Sequence, residues 1–260
     1  MLLKDRVALV TGGGSGIGQG IALRFAREGA KLAVVDISPA NLKATESLLQ
    51  EAGADCLCLL GDVSDTSSVE SFFAETERRF GRLDILVNNA GISNPPLHLM
   101  NMPDDGFDRT IAVNLRGVFL CARAGARWMA RQGQGGRIIN MSSQAGKTGF
   151  VFLGPYCATK AAVILLTQVL AKELAMYKIT VNAVCPGTID TPLLRGALQP
   201  IMDGMGLGLE DVTQRFLPPI PLGHLGYPAD VAKLVAFLAS DEADYMTGQA
   251  INITGGQEMH

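Results

Sequence analysis

Short apolar runs recur along the chain at 6–11, 31–36, 56–60, 83–87, 137–142, 179–185 and 250–253. Each is rich in Val, Ile, Leu and Ala with little polar alternation, the pattern of a strand covered on both faces. Between most of them, apolar positions repeat at about 3.6 residues, as on an amphipathic helix. Strands alternating with helices predict an α/β, doubly wound Rossmann-type fold, with a seven-stranded parallel sheet and helices on both faces. No repeat, linker or low-complexity tract interrupts the pattern, so residues 1–260 read as a single domain.

Two segments depart from this rhythm. The helix expected over 157–176 carries Ala158, Ala161, Ala162, Ile164, Leu165, Leu166, Val169, Leu170 and Leu174 on more than one face. One face can cover the sheet, and the other predicts self-association. Residues 188–225 show no strand pattern and are rich in Leu, Met, Pro and Gly. So long an insertion after the sixth strand predicts a substrate lid, with Gly204, Gly206 and Gly208 permitting closure.

The first apolar run ends in Thr11-Gly-Gly-Gly-Ser-Gly-Ile-Gly18, from which a helix is expected over about 17–28. Glycines let backbone approach a pyrophosphate, and a helix N-terminus favours its charge. The spacing of Gly12, Gly16 and Gly18 departs from G-x-G-x-x-G. Asp36 ends the second run, where a carboxylate can accept hydrogen bonds from adenosine ribose hydroxyls. The same carboxylate repels a 2′-phosphate, and no Lys or Arg lies between Thr11 and Gln19. The sequence therefore favours NAD(H).

Tyr156 and Lys160 are four residues apart, on one face of a helix. A nearby ammonium is expected to lower the phenol's pKa, giving a group that exchanges a proton with an alcohol or ketone. Ser143 precedes the tyrosine by thirteen residues, with Ser142 as the competing hydroxyl.

Together these motifs resemble the short-chain dehydrogenase/reductase superfamily, in its shorter-subunit branch, over the whole chain. Thr11–Gly18 is similar to its cofactor loop, Asp62-Val63 to its adenine-contacting dipeptide, and Asn88-Asn-Ala-Gly91 to its sheet-supporting motif. The resemblance implies Asn114, Ser143, Tyr156 and Lys160 as catalytic residues. It also implies a water held by Asn114, and subunits paired through the 157–176 helix and the preceding long one, commonly as homotetramers. The implied cofactor site comprises Thr11, Gly12, Gly14, Ser15, Gly16, Ile17, Gly18, Asp36, Ile37, Asp62, Val63, Asn89, Ala90, Gly91, Tyr156, Lys160, Pro186, Gly187, Ile189 and Thr191.

Substrate residues are expected at Ser143, Gln144, Phe150, Tyr156, Gly187 and Leu193, with Lys147, Phe152 and Pro186 as further candidates. The stretches Ile138–Gly146 and Thr247–Gln257 resemble sugar-alcohol dehydrogenases. Gln144 would bond a second hydroxyl of a polyol, whereas the apolar lid suits an aliphatic or cyclic ketone. Lys147 reads as an exposed loop lysine, with a phosphate or carboxylate as its alternative partner. Competing functions are a 3-oxoacyl-thioester reductase using NADPH and a non-catalytic nucleotide sensor. Asp36 opposes the first, and retention of Tyr156 and Lys160 opposes the second.

Composition removes other classes. A net charge of −3 offers no basic footprint for nucleic acid. The five cysteines form no C-x-x-C pair, and the scattered histidines His98, His224 and His260 predict no metal site. The first strand begins near Met1 and no unbroken apolar run reaches spanning length, so a cytoplasmic protein without a membrane partner is expected.

Overall fold

The computed structural model describes residues 1–94, 96–216 and 219–260. Among them, β1 (Val7–Thr11), β2 (Lys31–Asp36), β3 (Cys56–Leu60), β4 (Ile85–Asn88), β5 (Gly136–Met141), β6 (Ile179–Pro186) and β7 (Ala250–Ile253) form one sheet. Its order is β3-β2-β1-β4-β5-β6-β7, and every recorded pairing is parallel. This is the expected doubly wound fold. β1 lies between β2 and β4, so the strand order reverses there and a cleft opens at the carboxyl ends.

The strand pleat sends alternate side chains into two cores. Ala8, Val10, Leu32, Val34, Ile85 and Val87 pack with Ile21 and Phe25 of α1 (Gly16–Arg27), Leu42 and Leu49 of α2 (Pro39–Glu51), and Val231 and Val235 of α9 (Pro228–Ala239). Leu9, Ala33, Val35 and Leu86 face the other way. There they meet Phe72 and Phe73 of α3 (Thr66–Phe80), Leu120 and Met129 of α5 (Gly117–Gln132), and Ala171 of α6 (Gly154–Leu174). Burying one such side chain, Phe25, contributes roughly 1.5–3 kcal/mol. Because both faces are covered, the strands read as continuous apolar runs.

The boundaries shift in places. The fourth strand starts at Ile85, because the Asp84 carboxylate accepts the Val7 N–H at 2.8 Å and the Arg82 guanidinium. α4 (Asp104–Ile111) runs into α5 through a π turn, Ala112–Arg116, with Asn114 fully buried inside it. The 188–225 stretch, which shows no strand pattern, contains α7 (Pro192–Met205) and α8 (Leu209–Phe216). Thr191 caps α7 by accepting the Leu194 N–H, and Gly206, at φ +63°, ends it in the left-handed conformation. Leu217 and Pro218 of the expected lid lie outside the described residues.

One helix among the described residues, Gly154–Tyr177, is long and apolar enough by length and composition to cross a membrane. It also carries Tyr156 and Lys160 and packs on β5 and β6. Its outer face leaves Leu165 63 % and Val169 50 % exposed, and Phe119 of α5 is 44 % exposed.

Candidate active site

The turn after β1 has room for a diphosphate because side chains are excluded from it. Gly12 and Gly16 adopt φ of +62° and +55°, which favour glycine. A Cβ on Gly18 would fall 2.1 Å from the Gly12 carbonyl oxygen and 2.4 Å from Asn89 Nδ2. Ser15, the N-cap of α1, provides no side-chain cap, so the first-turn N–H groups face the cleft without one. The carboxylate of Asp36 is fixed at both oxygens: Gly14 N donates to Oδ2 and Ser38 N to Oδ1, each at 2.9 Å. Ile37 beside it is exposed. A glycine cradle, an open helix N-terminus and an oriented carboxylate together fit a dinucleotide.

The walls of this cleft come from neighbouring strand ends. Thr11 Oγ1 accepts the Asn89 and Ala90 N–H groups, and Asn89 Nδ2 donates to the Thr11 and Gly12 carbonyls. Asn88 Nδ2 reaches across to Asn140 Oδ1 at 2.8 Å, which ties β4 to β5. Asp62 Oδ1 accepts Ser64 N and Oγ, and Val63 packs against Gly117 at the start of α5. After β6, Gly187 N donates to the Ile253 carbonyl, and Ile189 pairs with Gly226. Thr191 stands 3.5 Å from where a Gly16 Cβ would be, so α7 begins against the glycine turn.

Asn114 and Lys160 meet beside Gly91, while Tyr156 neighbours Lys160 and Ser143. A Cβ on Gly91 would lie 3.3 Å from Asn114 Oδ1 and 3.5 Å from Lys160 Nζ. Asn114 is held from both ends: Ile92 N donates to its Oδ1 and its Nδ2 donates to the Ile92 carbonyl, both at 2.8 Å. Ser142 Oγ donates to the Lys160 carbonyl at 2.8 Å, so that hydroxyl is already committed. Ser143 Oγ accepts the Ala145 N–H at 3.1 Å and acts on the Tyr156 phenol.

One electrostatic expectation is reversed. Burial pushes the Tyr156 phenol above its ordinary pKa, and the Ser143 hydroxyl opposes this only partly. Lys160 Nζ lies 5.6 Å from the tyrosine ring centroid and donates to the Met141 carbonyl at 2.8 Å. Burial lowers the Lys160 pKa to about 8. Desolvation thus penalises charge on both groups and outweighs the pairing that spacing alone suggested.

Residues 12–258 match the family model described as enoyl-(acyl carrier protein) reductase. The chain is 38 % identical over 259 residues to the sorbitol dehydrogenase of Cereibacter sphaeroides, covering all of both chains. The chain belongs to the short-chain dehydrogenase/reductase superfamily. It is an oxidoreductase fold-mate of levodione reductase, whose crystal structure superposes with a TM-score of 0.92 at 36 % identity over 98 % of each chain. The 3-ketoacyl-(acyl-carrier-protein) reductase from Brucella melitensis, complexed with NADH, gives a TM-score of 0.87 at 37 % identity, over 99 % of this chain and 100 % of that one.

The superfamily binds a nicotinamide cofactor, and the cradle described above fits one. The expected substrate residues of this chain are distributed unevenly. Gln144 is buried directly after Ser143, and the Phe150 N–H donates to Cys157 Sγ beside the tyrosine. Phe152 is 43 % exposed, with φ +69° and its ring edge-on to His98. Leu193 sits on α7 near the glycine turn instead, since a Gly16 Cβ would lie 3.6 Å from its neighbour Pro192. Lys147 is not a free surface cation: its Nζ donates to the Ala250 carbonyl at 2.9 Å, which draws it to the C-terminal segment. Sequence reasoning missed Asn94, which accepts the Tyr156 N–H, and Gln257, which accepts Thr188 N and Oγ1. Neither carries a local pattern, because their partners lie 62 and 69 residues away.

Proposed function

We propose that the protein interconverts a secondary alcohol and its ketone with NAD(H) as cofactor. The observation that carries this reading is the linked set of Asn114, Lys160, Tyr156 and Ser143, with Asn114 and Lys160 beside Gly91, together with the glycine cradle and Asp36. Bound NAD(H) supplies the hydride chemistry. Tyr156 Oη gives its proton to the carbonyl oxygen in reduction and takes the alcohol proton in oxidation. Burial keeps the phenol protonated, which suits the acid role; in oxidation the Lys160 ammonium stabilises the phenolate. Ser143 Oγ–H donates a hydrogen bond to the substrate oxygen where negative charge develops. Asn114, within the π turn, stands with Lys160 beside Gly91, in position to hold a water that returns the proton to solvent.

Asp36 supports NAD(H) over NADP(H), since its fixed oxygens accept ribose hydroxyls and repel a 2′-phosphate. A polyol or vicinal hydroxy-ketone is the preferred substrate: Gln144 stands beside Ser143, and the sorbitol dehydrogenase is a full-length relative. A second reading, an acyl-thioester ketone, draws on the apolar rim of Leu97, Leu99, Met100 and Val151, all exposed. The exposed faces of α5 and α6 support a homo-oligomer, with a homotetramer as the reading adopted. The 188–225 helices act as the lid, and the cytoplasm is the compartment proposed.

The experiment follows absorbance of NADH against polyols, diols, hydroxy acids, ketones and acyl thioesters. Tyr156→Phe keeps the ring and removes the hydroxyl, and turnover should fall by about 10²–10⁴-fold. Near wild-type turnover in this variant refutes the acid/base assignment. Acyl thioesters outperforming every polyol would replace the preferred substrate with the second reading.

A further inference from the structure

The helix that presents Tyr156 begins without a local cap. Its N-cap position is Leu153, which offers no side-chain acceptor, and Pro155 in the first turn has no N–H. The α-helical bonds start with Cys157 N donating to the Leu153 carbonyl at 2.8 Å. Tyr156 N–H is therefore one of the orphan donors of a helix start. Its partner comes from another part of the chain: Asn94 Oδ1 accepts it at 3.3 Å. Asn94 is only 3 % exposed, and its Nδ2 donates to the Phe152 carbonyl at 3.1 Å. The same carbonyl accepts the Leu97 N–H, and Phe152 holds a φ of +69° that a bulky residue rarely adopts. One buried amide thus grips the backbone on both sides of the helix start.

The other end of this loop is anchored to the cofactor cradle. Ala90 N donates to Thr11 Oγ1, Ile92 brackets the Asn114 amide, and Asn94 follows two residues later. The segment from Ala90 to Asn94 is therefore a short strut from the glycine turn, past Asn114, to the tyrosine. We propose that Asn94 is a positioning residue: its Oδ1 is a long-range cap that fixes the Tyr156 phenol relative to the nicotinamide side of the cleft. The inference rests on the acid/base reading of Tyr156. Displacement of a reacting group by about 1 Å can cost 10²-fold in rate, so a cap on the tyrosine's own N–H acts on turnover.

Two variants separate this role from gluing the loop in place. Asn94→Ala removes both bonds. Asn94→Asp keeps the acceptor for Tyr156 N–H, at a helix N-terminus that favours a carboxylate, but loses the donor to Phe152. Steady-state kinetics are measured on the assembled protein with the best substrate of the panel assay, Tyr156→Phe alongside. For Asn94→Ala, kcat should drop roughly 10–100-fold with KM for the cofactor unchanged. Asn94→Asp should recover most of that kcat while KM for the substrate shifts, because Phe152 is released. Wild-type kcat in Asn94→Ala overturns the proposal. So does an Asn94→Asp protein as impaired as the alanine variant, whether through kinetics or through misfolding, since the Phe152 clamp would then be what matters. If Tyr156→Phe remains active, the acid/base reading fails first; if it is inactive while Asn94→Ala is not, only the present inference fails.

Discussion

Lys160→Met offers a quantitative check on the electrostatics of the site. In the fold, burial brings the ammonium from its ordinary 10.5 down to about 8. Between these values the unfolded chain binds a proton that the folded chain lacks, so this group makes folding more favourable as pH rises from 8 towards 10.5. Below pH 8 both states hold the proton, and folding bears the full cost of burying the charge. A gap of about 2.5 pH units corresponds to about 3 kcal/mol. Methionine fills similar volume without charge and also loses the bond from Nζ to the Met141 carbonyl, a cost that does not vary with pH. The measured quantity is therefore the difference in unfolding free energy, variant minus wild type, at two pH values. From pH 7 to pH 10 it should fall by about 2–3 kcal/mol. Tyr156 and Cys185, the titratable groups beside Lys160, are both pushed up by burial and do not reverse this sign. The assay is urea unfolding without cofactor at one protein concentration, because ligand and association both add to apparent stability. A pH-independent difference, or one that grows, would refute the buried-ammonium account.

Asp36→Ser should raise KM for NAD(H) and narrow the preference over NADP(H), which is expected to be on the order of 10²-fold from lost hydrogen bonds and repulsion of the phosphate. The check is kcat/KM for both cofactors; equal use of the two by the wild-type protein sinks the cofactor assignment. Leu165→Glu places a charge on the exposed stripe of α6, at a side chain 63 % exposed in the monomer. Light scattering should show a smaller assembly with an unchanged circular dichroism spectrum, and an unchanged mass argues against that face as the contact.

The βα rhythm, the glycine turn and the placement of Asp36 were legible in the sequence because they depend on local periods. A buried parallel strand must be apolar throughout, and a backbone that approaches a phosphate must lack side chains, whatever the remainder of the chain does. The pairing of Tyr156 with Lys160 was legible in spacing, but its electrostatics were not. Spacing gives a shared helix face; the sign of the pKa change depends on how much water the tertiary structure removes, and burial lifts the phenol and lowers the ammonium. The choice between adjacent serines came from the resemblance, and its physical reason is tertiary: Ser142 spends its hydroxyl on the Lys160 carbonyl, while Ser143 acts on the phenol. Lys147 looked solvated until folding brought the Ala250 carbonyl to it across 103 residues. Asn94 carried no sequence signal, because a lone asparagine in a loop acquires meaning only when a capless helix start arrives 62 residues later in the chain. Local chemistry wrote the elements and the cradle; hydrogen bonds and desolvation between distant segments decided which polar groups remain free to act.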